Sequence, residues 1–452
     1  MNTLKVYLSD GIIVREEFFG ALIFNQFNSK VLEINKTGAL IINQIINGLN
    51  VYENLTTLYP NQNQNQIKED VDHFMEFLWR NKIISNNIGT GKYIKMKWET
   101  NAKCLSAPRS IFWECTYNCN IATCIHCYSH SDAIKTAEID GKSLIKQIAD
   151  LGVFVIDIGG GEPLLREDLA ELINMANSFG LRCNIATNLS LSENKIIQFV
   201  DSVSNWALNS IQISLDGHNA ELHDQIRGGK GWYEKTVSNL DVLKKRNIKF
   251  RINCTVMQLN INHVEDIVKK SIDLNARTVR FIRLIPAGRG VAENLQITPE
   301  QYKKHCLELV KLRSKYKDFI DVGADDSFLF LELDKENYNK IKPRIPWIKP
   351  PYVGCGAART LMAITADNHV LPCSYLNDKC FISGDLKTES LESIWKSSMI
   401  FNDLREQKSI GKTCDSCFFK DKCLGGCRAA IFGVYNTIEE KDPLCWNLCS
   451  QK

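Results

Sequence analysis

Seventeen cysteines are spread unevenly along 452 residues: four fall between Cys115 and Cys127, and nine between Cys355 and Cys449. Thiols at this density suit metal or cluster ligation better than packing, and a reducing compartment leaves little place for a disulfide framework. Cys104, Cys183, Cys254 and Cys306 stand alone and read as buried small hydrophobes. The stretch Trp113-Glu-Cys-Thr-Tyr-Asn-Cys-Asn-Ile-Ala-Thr-Cys-Ile-His-Cys-Tyr128 can grip one metal centre. Zinc prefers four protein ligands in a closed tetrahedron, whereas three cysteines on a [4Fe-4S] cube leave one iron open to a substrate or cofactor. The second group contains Cys414-Asp-Ser-Cys417-Phe-Phe-Lys-Asp-Lys-Cys423-Leu-Gly-Gly-Cys427, with Cys355 and Cys373 upstream and Cys445 downstream. A zinc ribbon is the alternative there, but the second half lacks a matching closed set of four ligands.

The elements that must position these thiols follow from periodicity. From about 110 to 316, short apolar strands at 111–115, 153–158, 182–186, 211–215, 250–256 and 279–284 alternate with helical segments near 140–150, 167–179, 192–203, 233–246 and 263–274. Six βα units in series predict a parallel sheet with right-handed crossovers, open or curled into a partial (β/α)6 barrel. Ligands gather at the carboxyl ends of such strands, where the first cysteine group and Gly159-Gly-Gly-Glu-Pro163 both fall. Residues 1–90 read as a small separate α+β module. Strands at 20–25 and 30–34 precede a helix at 37–47, and a second helix at 67–81 carries a core stripe of Val71, Phe74, Met75, Leu78 and Trp79. After about 345 the pattern breaks into short, turn-rich sequence that reads as a domain held together by its metal.

Length and charge bound the rest. The chain is long enough for two or three domains with a large core. A net charge of +3 without long single-sign runs gives no electrostatic reason to expect nucleic acid or an anionic membrane. No stretch approaches the length of a membrane span, and Met1 to Gly11 lacks the apolar core of a signal peptide, so a soluble cytoplasmic protein is expected.

The first cysteine stretch resembles the radical SAM superfamily, whose signature is a three-cysteine loop after the first strand, commonly followed by an aromatic residue. The matching ligands are Cys119, Cys124 and Cys127. Cys115 falls at a usually apolar strand position. Four residues rather than three separate Cys119 from Cys124; the added residue is absorbed as a bulge or brings Cys115 into play as a ligand. Gly160-Gly-Glu-Pro163 matches the turn that supports the amino group of S-adenosylmethionine (SAM), which assigns Gly160, Gly161 and Glu162 to the cofactor. Ser214-Leu-Asp-Gly217, followed by His223-Asp-Gln-Ile-Arg227-Gly-Gly, implies that Ser214 and Arg227 hold the methionine carboxylate, a group that a guanidinium fork suits. Thr187-Asn188 matches the third strand end, with Leu189 where glycine is usual. Phe281-Ile-Arg-Leu-Ile-Pro-Ala-Gly-Arg-Gly290 resembles members acting on peptides and on tetrapyrroles.

The family chemistry is one-electron cleavage of SAM to a 5'-deoxyadenosyl radical that abstracts hydrogen from substrate; the protein orients the reaction and excludes water. The C-terminal group resembles the SPASM domain. By that pattern Cys414, Cys417, Cys423 and Cys445 bind one auxiliary [4Fe-4S] cluster and Cys355, Cys373 and Cys427 contribute to another, whose fourth position is filled by Cys380 or Cys449 or is vacant. Asn368 occupies a usual glycine turn position, which asparagine tolerates. Residues 1–90 resemble, in element order, the winged-helix-like recognition module of enzymes that mature ribosomally made peptides. The resemblance implies a leader-binding module at 1–90, a radical SAM partial barrel at 105–320 and an auxiliary-cluster domain at 345–452. It implies a precursor peptide and an electron donor such as flavodoxin or ferredoxin as partners. Thioether formation from a cysteine sulfur to carbon, as in sactipeptide maturases, fits best. Other peptide modification, heme-precursor side-chain oxidation and a zinc-stabilised peptide scaffold are the alternatives.

Overall fold

The computed structural model describes residues 6–95, 98, 103–129, 131, 140–204, 208–324, 328, 354–406, 411, 414–417 and 420–446. The chain divides into two compact units, residues 1–107 with 339–352, and residues 108–338 with 353–452.

In the first unit, β1 (Tyr7–Leu8) precedes β2 (Ile12–Glu17), β3 (Gly20–Asn25) and β4 (Lys30–Asn35). β5 (Ile84–Ser85) pairs with β1, and β6 (Lys92–Ile94) joins β2 in parallel, so the main sheet runs β4-β3-β2-β6 with β4 on one edge. Helices Lys36–Ile46, Val51–Leu58 and Gln64–Arg80 each begin at an asparagine, Asn35, Asn50 and Asn63, whose side chain accepts a first-turn N–H. Val71, Phe74 and Leu78 enter the core with Val14, Ile23 and Ile42, as the stripe predicts. Trp79 does not: a rotation of about 100° per residue carries it off that face, and it is 37% exposed. The helix Val51–Leu58 and the short strands β1, β5 and β6 were not legible from periodicity, being too short to show one.

The second unit is built on a ten-stranded sheet ordered β13-β12-β11-β10-β9-β8-β7-β14-β15-β16. Its central strands are β7 (Ser110–Thr116), β8 (Val155–Gly160), β9 (Arg182–Thr187), β10 (Leu208–Ser214), β11 (Phe250–Val256) and β12 (Thr278–Arg283), all mutually parallel. These match the six expected strands within a few residues. Helices Gly141–Leu151, Leu169–Ser178, Glu193–Ser202, Trp232–Lys245 and Val264–Asp273 lie between them as expected, and Ala220–Arg227 is an addition. β13 (Asp321–Ala324) extends one edge.

The other edge is extended by the cysteine-rich C-terminal segment. β14 (Leu361–Ile364) pairs in parallel with β7, and β15 (His369–Leu371) and β16 (Gly384–Asp385) follow antiparallel. That segment therefore covers the otherwise open flank of β7. Asn368, in the turn between β14 and β15, has φ 79°, the left-handed conformation expected of it. Cys183, Cys254 and Cys306 are buried, whereas Cys104 is only half-buried, in a loop before β7. Among the described residues no helix is long and apolar enough to cross a membrane.

Candidate functional site

The carboxyl ends of β7 to β12 converge on one cavity of about 220 Å³, far more than a single water needs. Cys119, Cys124 and Cys127 all line it, together with Gly160, Gly161, Ser214 and Arg227. Cys115 does not: it is fully buried on β7, at a register irregularity between Glu114 and Thr116. The cysteine loop is braced from three sides. Thr123 donates to the Arg227 carbonyl at 2.9 Å, Arg289 Nε donates to the Cys124 carbonyl at 2.8 Å, and the Arg289 N–H donates to the Cys127 carbonyl at 2.9 Å.

The glycine turn supplies the third brace. The N–H groups of Gly161 and Glu162 donate to the carbonyls of Thr116 and Asn118 at 2.8 and 2.7 Å. A Cβ on Gly161 would stand 2.1 Å from the Asn118 oxygen, and Gly160 has φ 119° with an equally blocked Cβ, so only glycine brings backbone this close. Glu162 is fully buried and does not face the cavity. Its carboxylate accepts from Thr187 Oγ1 at 2.7 Å, the Asn188 N–H at 2.8 Å and the Leu164 N–H at 3.1 Å, tying the turn to the end of β9. Burial pushes its carboxyl up to about 7 against those three donors. Leu189, where glycine is usual, adopts φ 55°, and its N–H donates to Thr187 Oγ1 at 2.9 Å.

Arg227 ends its helix facing the cavity. One nitrogen, Nη1, reaches the Cys124 sulfur at 3.7 Å, and Nη2 lies 2.6 Å from Asp216 Oδ2. Asp216 also accepts the Thr255 N–H at 2.8 Å and has His126 at 3.6 Å. Burial acts to raise Asp216, but the neighbouring Arg227 charge holds it below the usual carboxylate range, while burial pushes His126 and His223 down to about 4. Asp216 sits inside the motif read from the sequence, yet its role as the partner of Arg227 was not legible there.

The donor set fits an iron–sulfur centre. Burial pushes Cys119 up to about 12 and raises Cys124, so these sulfurs need a nearby cation to persist as thiolates. Arg227 supplies one positive charge, and iron would supply more.

The C-terminal thiols fall into two neighbourhoods. Burial pushes Cys373 up to about 11 and Cys427 to about 12, and both are repelled by Cys355. Burial likewise pushes Cys423 up to about 12, with repulsion from Cys445, Cys414 and Cys417. Cys380 is exposed and lies beside Asp378, while Cys449 lies outside the described residues. Tyr375, two residues beyond Cys373, lines the cavity beside Tyr128, with ring centroids 4.6 Å apart. The sequence reading noted an aromatic residue after the cysteine loop, where Tyr128 stands, but gave neither tyrosine a place at the cavity and missed Tyr375, whose position near Cys373 was the available signal. The Phe281–Gly290 stretch joins the two cysteine regions. Arg283 pairs with Asp442, Gly433 packs against the Pro286 carbonyl, and Gly288 packs against the Cys127 carbonyl.

Comparison with known proteins agrees with this geometry. Residues 113–270 match the radical SAM superfamily, and residues 355–418 match the SPASM iron-sulfur cluster-binding domain. The chain is 28% identical over 346 residues to an AdoMet-dependent heme synthase of Methanosarcina barkeri, covering 75% of this chain and 97% of that one. It is 31% identical over 348 residues to a mycofactocin maturase of Mycolicibacterium smegmatis, covering 75% of this chain and 83% of that one. In fold it is similar to Streptococcus suis SuiB bound to precursor peptide SuiA, with a TM-score of 0.73, 18% identity and coverage of 97% and 99%. The chain therefore belongs to the radical SAM superfamily and carries its SPASM domain, which makes it an enzyme with SAM and [4Fe-4S] clusters as cofactors.

Proposed function

We propose that this enzyme modifies a ribosomally made precursor peptide, residues 1–90 gripping the leader, 105–320 forming the partial barrel and 345–452 the auxiliary-cluster domain. The favoured product is a thioether from a cysteine sulfur to a carbon of another residue. One observation carries the reading: a single cavity is lined both by Cys119, Cys124 and Cys127 and by Tyr375 and Arg283, which adjoin the C-terminal cysteines. A substrate held there would meet the site of hydrogen abstraction and an auxiliary cluster together.

In this reading Cys119, Cys124 and Cys127 hold the SAM-binding cluster, and backbone at Gly160 and Gly161 receives the SAM amino group. Ser214 and Arg227 hold the carboxylate, while Glu162 acts indirectly, by fixing the glycine turn. Bound there, cluster and SAM would supply reductive cleavage of a carbon–sulfur bond and hence hydrogen abstraction from an unactivated carbon. Asp216 keeps the Arg227 fork oriented and compensated. Ile121, Leu284 and Ile285 line the cavity with apolar surface that excludes water. Cys414, Cys417, Cys423 and Cys445 hold one auxiliary cluster. Cys355, Cys373 and Cys427 hold the other, whose free corner takes a soft substrate sulfur. Spectroscopy showing full cysteine ligation before peptide is added would remove that last element.

The leader adds as a strand to the edge of the first unit's sheet, at β4, gaining main-chain hydrogen bonds. Support comes from the activity named for the mycofactocin maturase relative and from the precursor peptide bound to the similarly folded SuiB. The enzyme acts in the cytoplasm, where thiols stay reduced for cluster ligation, and takes electrons from a flavodoxin- or ferredoxin-type donor.

The test is anaerobic co-expression with any short open reading frame found beside the gene, followed by mass spectrometry. Loss of a pair of hydrogens per crosslink, with fragmentation locating the sulfur, is the expected result. An unchanged peptide mass alongside active SAM cleavage would overturn crosslinking, and turnover of a heme precursor instead would favour the activity named for the Methanosarcina relative.

A further inference from the structure

Outside the cavity, two turns at the carboxyl ends of neighbouring strands bring metal-ligating side chains together. His218 follows β10 and stands just before the helix Ala220–Arg227, while His263 closes the turn after β11 and opens the helix Val264–Asp273. Asp266 lies in the first turn of that second helix. One ligand atom from each of His218, His263 and Asp266 lies within 4.8 Å of the other two, and none of the three residues lines the cavity. The imidazole centroids are 5.1 Å apart, with the rings inclined by 31°.

His263 Nδ1 is 3.7 Å from Asp266 Oδ2, too long for a hydrogen bond. Two ligands of one tetrahedral ion with bonds of about 2.0–2.2 Å stand about 3.3–3.6 Å apart, so this pair has close to the spacing an ion needs. His218 Nδ1 finds no hydrogen-bond partner among the described residues, and Nε2 has Asn219 Nδ2 at 3.2 Å. The neighbouring carboxylate, Glu265, is held by Lys315 at 2.7 Å and Tyr316 at 2.8 Å. Asp266 Oδ1 has Lys269 Nζ at 3.9 Å, beyond hydrogen-bond reach. The fold fixes both turns in advance. Asn260, 1% exposed, donates to the carbonyls of Asp216 and Thr255 at 3.0 and 2.9 Å, and the His263 N–H donates to the Asn260 carbonyl at 2.9 Å. The Tyr233 hydroxyl donates to the His218 carbonyl at 2.9 Å.

We propose that His218, His263 and Asp266 form a binding site for a divalent transition metal of the zinc class, separate from the iron–sulfur centres. Two imidazoles and one carboxylate suit a borderline ion and discriminate against magnesium, which takes octahedral oxygen ligation. Three protein ligands leave a fourth position for water or an outside ligand. The helix dipole at the start of Val264–Asp273 opposes a cation, and the Asp266 carboxylate offsets it. The bound ion clamps the turn that carries Asp216, the partner of Arg227, to the turn after β11, stabilising the folded chain by mass action. The site stands apart from the peptide-maturation reading, and the failure of either leaves the other untouched.

The test is anaerobic calorimetric titration of tag-free, iron-replete, full-length holoenzyme with Zn2+ alone, for wild type, His263→Ala and Asp266→Asn. The two substituted side chains are 43% and 48% exposed, so both variants keep the core intact. Wild type is expected to bind Zn2+ in a single step that excess Mg2+ does not displace, and each variant to bind at least about tenfold more weakly at unchanged iron content. All three proteins carry the same cysteines, so a difference between them reports the histidine–aspartate site. Zinc-edge anomalous scattering from wild-type crystals should place the ion against His218, His263 and Asp266. Equal zinc affinity in wild type and His263→Ala, displacement by Mg2+, or no zinc uptake by wild type overturns the site. If a variant loses iron, the anomalous map decides: a peak on the three side chains supports the site, and a peak at cysteine sulfurs alone overturns it.

Discussion

Asp216 Oδ2 lies 2.6 Å from Arg227 Nη2, and the same guanidinium reaches the Cys124 sulfur with Nη1. The carboxylate is 1% exposed, so the pair is a buried one, placed between the cysteine loop and the ends of β10 and β11. Its geometry leaves the arginine compensated while it faces the cavity.

Removing one member of such a pair leaves the other as an uncompensated buried charge, at a cost of about 3–5 kcal/mol. Asp216→Asn is therefore expected to lose stability of that order in anaerobic denaturant unfolding, and to bind SAM at least about tenfold more weakly, equivalent to 1.4 kcal/mol. A variant with wild-type stability and wild-type SAM affinity would remove Asp216 from its orienting role.

Cys115 and its neighbours separate cleanly. Alanine at Cys119, Cys124 or Cys127 should abolish 5'-deoxyadenosine formation and lower the iron bound per chain by one cluster. Cys115→Ala should keep both, because Cys115 is sealed in β7 away from the cavity. Iron quantification together with chromatography of the nucleoside product decides between the two readings of the extra loop residue. Loss of iron in Cys115→Ala would make Cys115 a ligand.

Gly161→Ala must push its methyl against the Asn118 carbonyl, backbone that cannot rotate away. Overpacking of this kind costs about 1–3 kcal/mol. SAM binding measured by calorimetry should fall with it, because the turn shifts off the cysteine loop. Undiminished SAM binding would show that the turn is not in contact with the cofactor.

His305 provides a pH prediction away from the clusters. The ring is buried against Phe281 and Tyr302, its Nδ1 finds no hydrogen-bond partner among the described residues, and burial pushes it down to about 4. A depressed histidine contributes stability that is present above its unfolded value near 6.5 and lost as pH falls through about 4. Wild type should therefore lose up to about 3 kcal/mol more than His305→Phe on acidification from pH 7 to 4, measured by urea unfolding. Parallel stability curves for the two proteins would count against a neutral buried imidazole.

Much of the sheet was legible in the sequence because a parallel strand buried on both faces is a short apolar run, and the helices between such strands repeat at 3.6 residues. The resemblance to the radical SAM cysteine loop and motifs likewise named Cys119, Cys124 and Cys127, with Ser214 and Arg227, all of which face one cavity. Glu162 illustrates the boundary. Its place in the turn is local information, but the three donors that bury its carboxylate come from Leu164, Thr187 and Asn188, two of them more than twenty residues on.

By itself the sequence determined the element order, the thiol-rich loop at a strand end and the glycines that let backbone approach backbone, since each depends on residues near one another in the chain. Only the tertiary structure decided that the C-terminal segment continues the sheet beside β7, that Tyr375 enters the cavity, and that Arg283 meets Asp442 across 159 residues. Those relationships arise from packing between distant segments, where burial and the need to satisfy every polar group select the partner, and spacing along the chain carries no record of that choice.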